Sequence, residues 1–128
     1  MAARPGVCAI GIDSEVTGDV NPQIWLSICL EAETNWIRSL PALEQASAAT
    51  LIFSAKEAFY KCQYPVAAER VGFHDVSVEP LEWGAGEGGF QIRPLRRLAF
   101  SPRVEVPFQG RYRFHEQFLT AAIAVRAG

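Results

Sequence analysis

The chain has 128 residues, a net charge of −2 and an apolar fraction of 49%, which reads as one globular domain over residues 1–128 with a single core. No apolar run reaches the roughly 20 residues that span a membrane, and Met1-Ala-Ala-Arg-Pro-Gly6 carries no signal-peptide core, so a cytoplasmic location is expected. No basic helix or stacking-aromatic motif points to nucleic acid, and Cys8, Cys29 and Cys62 form no zinc pattern with His74 and His115; buried thiols are expected.

In chain order, Val7–Asp13 reads as a short buried strand. Asp13 and Glu15 follow at its end and point to one side of an extended chain. Side-by-side carboxylates repel unless a cation lies between them, and an oxygen-only donor set suits Mg²⁺; two solvated acids entering a loop is the plainer reading of the same residues. Gly11 lies on that side, and its missing side chain leaves room for a ligand. Val16–Pro22 is a loop. Helices are expected over Pro22–Leu30 and Glu31–Leu40, with Trp25 and Trp36 as core anchors. Pro41 breaks the pattern, and a helix over Leu43–Cys62 follows, with a kink near Ala49–Thr50. Its apolar stripe is Leu51, Ala55, Ala58, Phe59 and Cys62. Glu57 and Lys61 stand one turn apart beside that stripe. They are either an ordinary surface pair or a carboxylate and an ammonium aimed at a phosphate.

Strands are expected at Val71–Glu79, Gly89–Arg93, near Arg103–Val106, at Arg111–His115 and at Phe118–Val125, with the glycine-rich stretch Glu82–Gly89 as a loop. The order of strand, helices and then strands gives an α+β fold, helices packed on a mainly antiparallel sheet. His74 and His115 are expected to be structural. Residues 1–92 hold twelve acids against five bases, whereas residues 93–128 hold seven arginines against two acids. That basic third reads as a solvated strand edge ahead of a surface for phosphate or an acidic protein.

Two stretches taken together carry more. Ile10-Gly-Ile-Asp13-Ser-Glu15 and, about forty residues on, Phe53-Ser-Ala-Lys56-Glu57-Ala-Phe-Tyr-Lys61 resemble the 4′-phosphopantetheinyl transferases, most of all the Sfp-type and siderophore-synthase-activating enzymes. The likeness covers residues 7–64 by motif. It implies Mg²⁺-dependent transfer of 4′-phosphopantetheine from coenzyme A to a serine of an acyl or peptidyl carrier protein, releasing adenosine 3′,5′-bisphosphate. It also implies Asp13, Glu15 and Glu57 as metal ligands, Glu57 as base for the serine proton, Lys61 as catalytic and coenzyme-binding, and Lys56 as a further coenzyme contact. The long enzymes have a first half that supplies basic residues and a Ser-His motif, neither of which is present here. The chain therefore reads as the second half alone, lacking an N-terminal half. Such a half is expected to expose an apolar face and to form a homo-oligomer or pair with a first half. The alternative function is a non-catalytic half-domain that binds coenzyme A and Mg²⁺, or a partner protein, without transfer.

Overall fold

The computed structural model describes residues 7–100 and 106–126, with side chains from residue 9. The elements are β1 (Val7–Val16), a 3₁₀ turn (Pro22–Ile24), α1 (Trp25–Ile28), α2 (Glu31–Arg38), α3 (Ala42–Ala67), β2 (Val76–Pro80), β3 (Glu87–Pro94), β4 (Phe108–His115) and β5 (Phe118–Arg126). The strands form one antiparallel sheet in the order β1-β5-β4-β3-β2. The expected α+β architecture is the observed one. The strand expected near Arg103–Val106 falls mostly outside the described residues, as does the side chain of Cys8.

Several boundaries differ. The acids do not follow β1 but lie within it, because β1 continues to Val16 and pairs Asp13 with Ala121 and Glu15 with Leu119 on β5. Helix α3 is a single 26-residue element that passes Thr50 and extends to Ala67. Pro65 is exposed in its last turn, where water can take the carbonyl that a proline nitrogen cannot serve. Ala68 closes the helix in the left-handed conformation, its N–H on Tyr64 O at 2.8 Å. Only the second half of the Val71–Glu79 stretch is strand. Asp75 accepts from Gly72 N–H at 2.7 Å, so the first half is a side-chain-closed turn. Two arginines of the basic third, Arg111 and Arg113, stand not on an edge but on β4, the central strand, facing solvent.

One sheet face packs on α3. Phe59, at the middle of the helix, meets Phe108 at 4.9 Å and Phe100 at 6.2 Å between ring centroids. Phe90, Ile92, Leu119, Ala121, Ile123, Val76 and Val78 complete that side. Full burial of such a side chain contributes about 1.5–3 kcal/mol. Trp25 is buried, while Trp36 is half-buried and meets Trp83 edge-on at 5.3 Å. Cys29 and Cys62 lie in the same core. The other sheet face exposes Ile10 (61%), Ile12 (56%) and Phe118 (37%).

A second layer of order comes from one buried ion pair. Lys56 Nζ on α3 donates to Glu33 Oε1 on α2 at 2.7 Å, to Ile28 O at 2.8 Å and to Phe73 O at 2.6 Å. Glu33 also accepts from Leu30 N–H at 2.8 Å and from Val78 N–H at 2.6 Å. Every atom of the pair that must be satisfied is satisfied, as burial demands.

Gly11 is where β1 and α3 touch. A Cβ there would overlap Ala58 O and lie 2.7 Å from Cys62 Cβ. The space beside Gly11 is thus filled by helix backbone and is not left for a ligand. Gly11→Ala should cost about 3 kcal/mol or more, since the obstacle is backbone that cannot rotate away. Denaturant unfolding measures this; a loss under about 1 kcal/mol would contradict the close approach.

Candidate functional site

The close crossing of β1 and α3 brings four ionisable side chains together. Asp13 points inward from β1 and is 4% exposed. Its Oδ2 accepts from Ser54 Oγ at 2.9 Å and its Oδ1 from Lys61 Nζ at 2.7 Å. Ser54, Glu57 and Lys61 fall at positions i, i+3 and i+7, so one stripe of α3 presents all three to β1. Sequence analysis gave Ser54 no role, yet it fastens the helix to Asp13. The signal was present in the Phe-Ser-x-Lys-Glu spacing, which places the hydroxyl one turn before Glu57.

The electrostatics are those of crowded acids. Glu15 is pushed up to about 7 by burial, by its hydrogen bond with Asp13 and by the charges of Asp13 and Glu57, with Lys61 opposing. Burial first, then the charge of Asp13, also raises Glu57 above the ordinary carboxylate range. The Lys61 ammonium is held above its usual value by the hydrogen bond to Asp13, with the charges of Asp13, Glu57 and Glu15 adding to it. Asp13, Glu15, Glu57 and Lys61 therefore act on one another as a group. Side-chain Lys61 is 51% exposed, so water screens part of its attraction.

Oxygen donors of like charge, each raising the others' proton affinity, are the donor chemistry of a hard divalent cation. Asp13, Glu15 and Glu57 fit in kind. Among the described residues, however, no three His, Cys, Asp or Glu side chains are gathered tightly enough to hold an ion as they stand. Lys61 and Ser54 each bond one oxygen of Asp13, so a cation bound there would share or displace one of these partners.

Lys56, for which the resemblance implies a coenzyme contact, lines the same cavity as Glu57. It is 3% exposed, and its ammonium is spent on Glu33, Ile28 O and Phe73 O inside the protein. That cavity, of about 380 Å³, opens on the far side of Glu57, lined also by Tyr60, Arg70, Val71, Gly72 and Phe73. Glu57 is the residue shared by this cavity and the acidic group. Arg70 and Tyr60 had no sequence signal, because the segment 70–76 meets α3 only through the fold. His74 Nε2–H donates to Leu26 O (3.0 Å), and His115 Nε2 shares a hydrogen bond with Thr120 Oγ1 (2.9 Å), both away from the acids.

Glu15 holds its proton to about pH 7 in the fold and releases it near 4.5 when unfolded. Between those values the native state binds more protons, so stability falls as pH rises. Without added metal, the urea midpoint should drop across that window, and Glu15→Gln should flatten the drop. An unchanged slope in the variant would refute the crowding of the acids.

Residues 9–121 match the family model described as the 4′-phosphopantetheinyl transferase superfamily. The chain is 28% identical over 132 aligned positions to the 4′-phosphopantetheinyl transferase Svp of Streptomyces mobaraensis; the match takes in 99% of this chain and 51% of that protein. The chain thus spans about half the length of the curated relative it matches. Among solved structures, a holo-(acyl-carrier-protein) synthase of Bacillus anthracis in complex with CoA (3′,5′-ADP) superposes with a TM-score of 0.73 at 17% identity, over 96% of this chain and 99% of that one. The Thermotoga maritima holo-[acyl-carrier-protein] synthase superposes at 0.67 and 20% identity, over 95% of this chain and 65% of the other. At such identities these likenesses establish the fold, and the family match over most of the chain establishes descent: the chain belongs to the 4′-phosphopantetheinyl transferase superfamily.

Proposed function

We propose that the chain takes part in Mg²⁺-dependent transfer of 4′-phosphopantetheine from coenzyme A to a serine hydroxyl of an acyl or peptidyl carrier protein. The observation that carries this reading is the meeting of Asp13, Glu15, Glu57 and Lys61 at the β1–α3 crossing. Phosphoryl transfer asks for positioning and charge neutralisation more than for covalent help from protein. Asp13, Glu15 and Glu57 would hold Mg²⁺, which would supply Lewis acidity to the transfer. Glu57, its proton affinity raised toward the working range, is the group to accept the serine proton. Lys61, freed from Asp13 Oδ1, is the point charge for the phosphate oxygens. The oxygen of the carrier serine forms the new P–O bond as adenosine 3′,5′-bisphosphate leaves.

A second reading is a half-domain that binds coenzyme A and Mg²⁺ but does not transfer by itself. The 51% coverage of the curated relative favours it. The exposed Ile10, Ile12 and Phe118 face is then the surface for a second copy or for a separate first half. A mass measurement after incubation with coenzyme A, Mg²⁺ and a carrier protein separates the two readings. Transfer adds the phosphopantetheine mass to the carrier; binding without a mass shift supports the half-domain.

Glu57→Gln should lower kcat at least about 100-fold, the scale of a lost general base, while the thermal midpoint stays near that of the parent. Asp13→Asn should abolish Mg²⁺-dependent transfer. Full activity in both variants would overturn the site.

A further inference from the structure

We infer that Glu33 and Lys56 form a positioning device that sets the width of the cavity beside Glu57. This inference rests on the transferase reading of that site. The pair is dry, each side chain 2% exposed. Replacing such a pair by apolar residues is often neutral or stabilising, so stability alone is a weak reason for it. Where its bonds go is more informative. Lys56 Nζ reaches across to Phe73 O at 2.6 Å, and Phe73 belongs to the cavity wall opposite α3. Glu33 Oε2 takes Val78 N–H at 2.6 Å, at the strand that continues from that wall. Lys56 immediately precedes Glu57 on α3, so one turn of helix carries both the acid that faces the cavity and the arm that fixes its far side.

Residues 71–75 lie outside the sheet ladder and are closed by the Gly72–Asp75 turn. Their far end is tied by Leu95 N–H on Asp75 O at 2.8 Å and by His74 Nε2–H on Leu26 O at 3.0 Å, while Phe73 itself is held through its carbonyl by Lys56. Arg96 ties Asp75 (3.2 Å) and Glu69 (2.8 Å) from outside, but its side chain is 40% exposed and water screens it. Phe73 also leans on Phe53 at 5.7 Å, a contact that tolerates sliding. A buried ammonium shared among three oxygens does not tolerate it, since any shift leaves a charge-assisted bond unmade. The pair therefore fixes a distance that packing leaves soft.

The test uses three proteins: the parent chain, Glu33→Gln, and Glu33→Gln with Lys56→Met. The milder variant keeps acceptor and shape and guards against failure of the double variant to fold. Two readouts are needed: kcat and KM for coenzyme A, and amide hydrogen exchange over residues 70–78. Both variants should raise KM for coenzyme A, the double variant at least fivefold, with kcat within twofold of the parent and faster exchange confined to 70–78. Glu57→Gln should do the opposite, lowering kcat. An unchanged KM in folded variants, or exchange that rises uniformly, overturns the positioning role and leaves the pair as core stabilisation. A parent chain that neither transfers nor binds coenzyme A instead overturns the transferase reading, and this inference with it.

Discussion

The backbone contact between β1 and α3 at Gly11 is the constraint from which the site follows. A side chain at that position would push the helix off the strand. With none, the stripe of Ser54, Glu57 and Lys61 comes down beside Asp13 and Glu15. Ser54 and Lys61 then bond the two oxygens of Asp13 from points two turns apart. Those two bonds fix the helix along its length and about its axis. The acids are thus positioned by covalent geometry and two hydrogen bonds, with no contribution from a mobile loop.

Such an arrangement works against the fold that makes it. Three carboxylates share a small volume with one ammonium, and Glu15 and Glu57 respond by holding protons more tightly. Sequences under selection for stability alone do not gather like charges this way; perturbed acids of this kind concentrate at sites of chemistry. The cost is offset elsewhere, in the aromatic layer of Phe59, Phe100 and Phe108.

Much of this was legible in the sequence. Strand, helices and strands appear in the observed order because hydrophobic period and turn residues are local signals. The spacing of Asp13, Glu15, Glu57 and Lys61 was equally local, within one strand and one helix. What the sequence could not reveal was partnership across the fold. Gly11 showed an absence of side chain, and nothing nearby said that a helix backbone would fill it. Lys56 looked like its neighbour Glu57 in motif, yet α-helical rotation turns it about 100° away, into the core and onto Glu33. Glu33 itself carried no signal, because its partners stand 23 and 45 residues further along the chain. Likewise Arg111 and Arg113 suggested a border strand by composition, but strand order is set by non-local pairing and put them at the centre of the sheet.

Among the described residues β1 ends the sheet on one side, and its outward backbone groups have no neighbouring strand. Unprotected borders of this kind invite polymer growth through main-chain pairing, and inward-pointing charge is one of the ways proteins prevent it. Asp13 and Glu15 lie on this border. Two molecules pairing there in antiparallel register would set acid against acid. Their charges would disfavour such pairing between two copies, a protection that weakens as acid neutralises them.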